Sequence, residues 1–329
     1  MTRALTTLLS LAAADALGAA TEFKSPERIQ TQYGGTLTDY QPGSVFGFAP
    51  GEATDDSQMA VATLLGYARR EGLGGVLSAL RGWLAAGPPD AGGLTRSALG
   101  WGTLDGGVWA WQTSGYDSAG NGGLMRIAAV WIAGFRGPEL ARQSACVTAL
   151  THADPRCVYA SVFLTAWLEA LEGGQAYGAA ADAALRLTGD FDARAVLLDA
   201  GIFGVDTREA HTAFRDRERG ARAEVRARVR AGLGGHLTSQ SGYVLDTLEA
   251  AVRHAGADSW MDCVQPAVLM GDDSDTVACV VGAVAWARGL EAPPHLLPAL
   301  RLGHSWPGWQ RAWPCTEHLA GVVAGAQRP

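Results

Sequence analysis

Apolar residues recur at three- and four-residue spacing through five long alanine-rich stretches, 59–70, 124–134, 158–171, 244–254 and 276–288, and this period reads as helix. Strand-like alternation is scarce. Clusters at Gly34-Gly35, Gly87-Pro88-Pro89, Gly173-Gly174 and Pro293-Pro294 separate the helical stretches as connections. Hydrophobic residues make up 48% of the 329 and charged residues 18%, the profile of a compact chain with enough apolar surface for one large core. No Ser- or Pro-rich linker divides the chain, and no period of about 20 to 50 residues repeats. The expectation is an all-α fold, a single compact multi-helix domain over residues 1–329.

Charge narrows the partners. A formal net charge of −7 and a pI near 5.5 argue against a general nucleic-acid surface, which needs an excess of Lys and Arg. Any anionic ligand has to be held locally. The stretch 208–230 carries eight arginines, but Val225, Val229 and Leu233 fall at i, i+4 and i+8, so one stripe is expected to be buried while the arginines stay in water. The five cysteines, Cys146, Cys157, Cys263, Cys279 and Cys315, have no CxxC spacing and no nearby His, so they read as reduced thiols rather than a zinc site. Arg3 and the apolar run 4–14 imitate a secretory signal, but Asp15 interrupts it, and no uninterrupted apolar stretch reaches the roughly 20 residues of a membrane span. A cytoplasmic protein without membrane contact is expected.

Two acidic segments carry the chemistry. Thr54-Asp55-Asp56-Ser57-Gln58-Met59 stands ahead of one apolar helix, and Gly271-Asp272-Asp273-Ser274-Asp275-Thr276 ahead of another. Alone, the first reads as an acidic capping box in which Thr54 or Asp55 accepts unpaired backbone N–H groups. Five carboxylates in two clusters exceed what capping requires. If the fold joins the two helix ends, these carboxylates and the hydroxyls of Thr54 and Thr276 form an oxygen-only cage. Such a cage suits Mg²⁺, Mn²⁺ or Ca²⁺ rather than zinc or copper, and bound cations, two of them for so many ligands, would relieve the mutual repulsion.

Residues 118–126 set glycines ahead of the apolar 124–134 stretch. This is either a plain connection or a turn whose backbone N–H groups face an anion with a helix dipole behind them. Arg126 pairs with either a phosphate or a structural carboxylate. His152 heads a Thr-His-Ala-Asp-Pro turn in which Asp154 can cap a helix and Pro155 can start it; a lone His is usually structural. Tyr116 and Tyr243 are core residues or ligand contacts, and Trp306, Trp309 and Trp313 read as packing.

Seven segments in order along the chain add a more specific signal. They are Asp15-Ala-Leu-Gly-Ala-Ala-Thr-Glu22-Phe23, the 54–59 segment, Pro89-Asp90-Ala91-Gly92, Gly120-Asn121-Gly122-Gly123-Leu124-Met125-Arg126, Thr151-His152-Ala153-Asp154-Pro155, the 242–251 segment and the 271–276 segment. Together they resemble the ADP-ribosylglycohydrolase family, which includes the dinitrogenase reductase-activating glycohydrolase and the eukaryotic ADP-ribosyl-acceptor hydrolases. The resemblance implies that Thr54, Asp55 and Asp56 bind two divalent cations, Mg²⁺ or Mn²⁺, from one side and Asp273, Asp275 and Thr276 from the other. It also implies substrate contacts at Ser118, Gly120, Asn121, Gly122, Gly123, His152 and Tyr243. Asp272, where the family usually has Gly, is expected to stand behind the ligands or face solvent rather than bind the metal. Ala14, also in place of Gly, is expected to be tolerated unless another backbone approaches closely.

The implied reaction cleaves the bond between C1 of the distal ribose of ADP-ribose and a modified protein side chain. Cations would bind the ribose hydroxyls and activate a water, and a carboxylate would move a proton as oxocarbenium character develops. Glu22 is the candidate for proton transfer or gating, with Asp56 or Asp90 sharing the task; the plain alternative for Glu22 is a charged helix end. Asp90 could attract a guanidinium, and its Pro-Asp-Ala-Gly context resembles arginine-directed members, so ADP-ribosyl-arginine is the first-choice substrate. Serine-linked ADP-ribose, its polymer, O-acetyl-ADP-ribose, and a free nucleotide or another N-glycoside also fit, as does a non-catalytic ADP-ribose-binding relative. In this context the arginine-rich stretch is either solvated or a contact face for the modified partner.

Overall fold

The computed structural model describes residues 2–303, 306–312 and 316–327, which form seventeen α-helices and two strands of two residues each. Four of the five expected helices are present as Asp55–Ala68, Pro155–Glu172, Val244–His254 and Ser274–Ala287. The fifth is not continuous: residues 124–134 hold α-helix only over Ala128–Ile132, behind a 3₁₀ turn at Asn121–Gly123. A buried side chain explains the tighter winding. Arg126, 0% exposed, donates to the carbonyls of Gly122 and Val147 and to the Thr151 hydroxyl, drawing the preceding turn inward. Among the described residues it pairs with no carboxylate, which corrects that reading, and it does not line the cleft beside the two acidic segments.

The N-terminal apolar run is the helix Arg3–Gly18, buried around its whole circumference from Leu11 on. It packs along Ser274–Ala287 through small residues at two heights. A Cβ on Gly18 would stand 2.4 Å from the Asp275 Cα, and one on Gly282 would stand 2.7 Å from the Ala14 Cβ. The room for Ala14 therefore comes from Gly282 on the facing helix. Ser10 reinforces the pair by donating to the Gly282 carbonyl at 2.8 Å. This packing puts the residues that follow Gly18 beside the second acidic segment.

Arg208–Leu233 is the longest helix, with Val225 and Val229 buried and Leu233 half-buried, as the spacing predicts. Arg228 departs from the solvated pattern: it turns inward to Asp246 and Glu249, at 2.8 Å each. Cys146, Cys157, Cys263 and Cys279 are buried free thiols, and Trp306 and Trp309 are buried packing residues; Trp313 and Cys315 lie outside the described residues. Among the described residues no helix is long and apolar enough to cross a membrane.

Candidate active site

Glu52–Ala53 pairs in parallel with Arg301–Leu302 and delivers the chain to Thr54, the residue before the helix Asp55–Ala68. A helix start needs acceptors for its free N–H groups. Neither Thr54 nor Asp55 supplies them. The carboxylate of Asp15, from the N-terminal helix, accepts the Thr54 N–H at 3.0 Å, the Ser57 N–H at 3.1 Å, and the hydroxyls of Thr54 and Ser57 at 2.8 and 2.5 Å. The expected local cap is replaced by one from a distant helix, and Asp55 and Asp56 are left free of it. Sequence reasoning quoted Asp15 without giving it this task. The signal was present, since an Asp inside an apolar helical run needs a buried partner.

The second acidic segment starts Ser274–Ala287 in the same way, with no side-chain cap from Asp273. The two helix starts meet. Asp55, Asp56 and Asp275 each place a carboxylate oxygen within 4.8 Å of the other two, and the Thr276 hydroxyl donates to Asp56 Oδ2 at 3.3 Å across 220 positions of sequence. The Thr54 hydroxyl lies 3.2 Å from the same oxygen. Asp273 stands at the edge of the group, where its Oδ2 accepts from Asn121 at 2.7 Å. Asp272 is exposed, as expected, with φ +50 in the region where glycine is at ease.

Among the described residues no cationic side chain forms a salt bridge with Asp55, Asp56 or Asp275. Burial first, and then the neighbouring carboxylates, raise Asp55, Asp56 and Asp275 well above the usual carboxylate range. Asp56 Oδ1 and Asp275 Oδ1 are buried without a hydrogen-bond partner. Buried oxygen lone pairs without donors, in an all-oxygen set, fit a hard divalent cation. Asp15 is different. Burial raises it to about 6, and four hydrogen bonds from Ser57 and Thr54 oppose the rise.

The cluster lies on a cleft of about 490 Å³. Its lining includes Glu22, Asp55, Asp90, Asp273, Asp275 and Thr276, and also Ser118, Gly120, Asn121, Gly122, His152 and Tyr243. Glu22 is buried, its Oε2 has no hydrogen-bond partner, and burial, then Asp275, Asp90, Asp55 and Asp273, push it up to about 12. Asp90 is half-buried; burial raises it too, and the neighbouring Asp55 side chain opposes the rise.

The glycine segment joins the Tyr243 loop by Asn121 N–H to Gly242 O at 3.1 Å and Val244 N–H to Ala119 O at 2.9 Å. Its glycines serve close approach to His152: a Cβ on Gly122 would lie 2.9 Å from the imidazole Cε1. None of Gly120, Gly122 and Gly123 has positive φ, and the helix behind them has only five residues, so the left-handed freedom of glycine and a long helix dipole are not what this segment uses. Gly123 faces away from the cleft, against Thr148 and His152. Thr54 and Asp56 also lie behind the cleft surface, within the acidic group. His152 hydrogen-bonds Thr151 at 2.8 Å, and burial, with Arg126 adding, lowers it to about 3, so it is neutral. Tyr116 is not at the cleft; it lines a separate cavity with Arg217 over its ring at 5.5 Å. Lys24, the chain's one lysine, went unremarked in the sequence: its ammonium donates to Ala20 O, to Tyr33 Oη at 2.8 Å and to Gly43 O at 2.6 Å, bracing the loop that carries Glu22.

Known proteins share this plan. A solved ADP-ribosylglycohydrolase-related protein complex superposes with a TM-score of 0.66 over 98% of this chain and 96% of its own, at 22% identity, which shows the fold. The chain is 30% identical over 302 residues to the ADP-ribosylarginine hydrolase Tri1 of Pseudomonas putida, covering 87% of this chain and 70% of that one. It is 28% identical over 293 residues to the Tri1 of Serratia proteamaculans, at 85% and 69% coverage. Against the ADP-ribosyl-[dinitrogen reductase] glycohydrolase of Rhodospirillum rubrum the identity is 25% over 289 residues, at 87% and 85%. The family model for ADP-ribosylglycohydrolase matches residues 1–323, and the chain therefore belongs to the ADP-ribosylglycohydrolase family of hydrolytic enzymes.

Proposed function

We propose that this hydrolase releases ADP-ribose from an arginine side chain of a modified protein, using two divalent cations, Mg²⁺ or Mn²⁺. The observation that carries the cation requirement is the buried carboxylate group at the meeting of the two helix starts, in which Asp56 Oδ1 and Asp275 Oδ1 have no hydrogen-bond partner while Asp15 caps the first of the two helices. Thr54, Asp55, Asp56, Asp273, Asp275 and Thr276 would hold the ions. Cations bound there supply Lewis-acid charge for hydrolysis at the distal ribose. The names of three relatives support an ADP-ribosylated protein substrate, and two of them name arginine.

The chain's own groups divide the remaining work. Ser118, Gly120, Asn121 and Gly122 receive the diphosphate and ribose on the neutral part of the cleft, with His152 and Tyr243 positioning them. Asp90 faces the cationic leaving group. The C1–N bond breaks with its electrons going to the guanidine nitrogen, a water oxygen adds to C1, and Glu22 moves the proton between water and leaving group. Excluding bulk water around Glu22 makes its protonation responsive to neighbouring charge.

The test offers arginine-linked and serine-linked ADP-ribosyl peptides to the purified protein. ADP-ribose release from the arginine-linked peptide is expected, lost on chelation and restored by Mg²⁺ or Mn²⁺ but not by zinc. Full activity in protein shown metal-free by elemental analysis would overturn the cation requirement, and release from the serine-linked peptide alone would overturn the choice of acceptor.

A further inference from the structure

Phe23 combines features that packing does not explain. Its backbone has φ +54, a region strained for a bulky side chain; its side chain is 61% exposed; and it lines the acidic cleft next to Glu22. Such strain, where the surroundings enforce it, points toward function. Here the surroundings do enforce it. The Phe23 N–H donates to the Asp272 carbonyl at 2.7 Å, and the Asp272 N–H donates to the Lys24 carbonyl at 3.2 Å. This reciprocal clasp fastens the Glu22 loop to the segment carrying Asp273 and Asp275.

The clasp uses backbone atoms only, and glycine at position 23 would adopt φ +54 without strain. The ring is therefore not needed for the local fold. Nor is it covered: among the described residues its one aromatic neighbour is Phe46, at 6.0 Å between centroids and 67° between planes. What the ring adds is an apolar, π-bearing surface on a cleft that also holds the carboxyl groups of Glu22 and Asp90. An aromatic ring near a carboxylate suits a planar, delocalised, weakly hydrated cation, whereas a neutral serine ether would gain little from either.

We propose that Phe23 is a specificity residue, stacking on the guanidinium of the ADP-ribosylated arginine while Asp90 meets its charge. The proposal rests on the arginine-directed reading above and adds the side chain that recognises the acceptor.

The experiment compares wild type, Phe23→Gly and Phe23→Tyr with Mg²⁺ bound. Three readouts are taken: kcat and KM on an arginine-linked ADP-ribosyl peptide, the calorimetric Kd for free ADP-ribose, which lacks the acceptor, and Tm. Phe23→Gly is expected to lower kcat/KM about tenfold, mainly through KM, the size of a partly desolvated cation–π contact. ADP-ribose affinity should stay within about twofold, and Tm should hold or rise as the strained φ is relieved. Phe23→Tyr should recover most of kcat/KM. A fall in ADP-ribose affinity matching that in kcat/KM, or a Tm loss of several degrees, would show the ring to be structural and overturn the proposal. Unchanged kcat/KM in Phe23→Gly would overturn the proposal alone. Failure of the wild type itself to release ADP-ribose from the arginine-linked peptide would overturn the arginine reading, and the proposal with it.

Discussion

Gly18→Ala tests whether the N-terminal helix sets the position of a candidate cation ligand. The added Cβ would lie 2.4 Å from the Asp275 Cα, 2.6 Å from its N and 2.7 Å from the Ser274 carbonyl oxygen. All three are backbone atoms, so no side-chain rotation relieves the overlap, and the helix ends must separate. Overpacking of this kind costs about 1–3 kcal/mol. Gly18 is the last residue of its helix, so the propensity gain of alanine offsets little. Gly282→Ala is the matched control. Its Cβ would meet the Ala14 Cβ at 2.7 Å in the same helix pair, but it stands seven residues beyond Asp275, roughly 10 Å along the axis. Being mid-helix, it regains about 1 kcal/mol of propensity, for a net loss of about 0–2 kcal/mol. Ligand distances tolerate only about 0.2 Å, so Gly18→Ala should weaken Mn²⁺ binding about tenfold or more while Gly282→Ala leaves it near wild type. Urea unfolding without added metal and calorimetric Mn²⁺ titration measure the two quantities. Equal Mn²⁺ affinity in all three proteins, with Gly18→Ala destabilised, would refute the idea that this contact places Asp275.

Three further expectations follow from the same geometry. Asp55→Ala and Asp275→Ala should each reduce Mn²⁺ occupancy, and the double variant should lose little more than either single one, because one shared cage can be lost only once; additive losses in calorimetric titration would mean two separate sites. Glu22→Gln should retain Mn²⁺ occupancy while turnover on the arginine-linked peptide falls at least about a hundredfold, since the amide keeps the shape but cannot move the proton; near-normal turnover would assign Glu22 to a structural role. His152 has its folded pKa lowered from 6.5 to about 3 by burial, with Arg126 adding to the effect. The unfolded chain then binds the extra proton between these values, so stability is retained above pH 6.5 and lost as pH falls, by about 3 kcal/mol at pH 4. His152→Gln should flatten the unfolding free energy against pH between 6.5 and 4 by that amount, and a slope identical to wild type would count against a buried neutral imidazole.

The sequence alone determined the helical class, because a three- and four-residue apolar period leaves little else, and it marked both acidic segments, because Thr54 to Asp56 and Asp273 to Thr276 put more carboxylates at helix starts than capping needs. It did not show which of those carboxylates are free. At the first helix start that depends on Asp15, whose contacts to Thr54 and Ser57 span some forty residues and arise only when the N-terminal helix packs beside Asp55–Ala68. The packing role of the glycine segment was not legible for a similar reason. Local rules see glycine as freedom to turn, whereas Gly122 and Gly18 are small because a His152 ring and an Asp275 backbone come against them. Arg126 was placed by residue type and burial decided otherwise, whereas for Tyr116 the two readings were separated only by packing, which sets it against the core and away from the cleft. Periodicity and composition are properties of neighbours in sequence and can be read along the chain. Close approach, long-range capping and the desolvation that raises Glu22 to about 12 are properties of neighbours in space, and only the packed helices decide them.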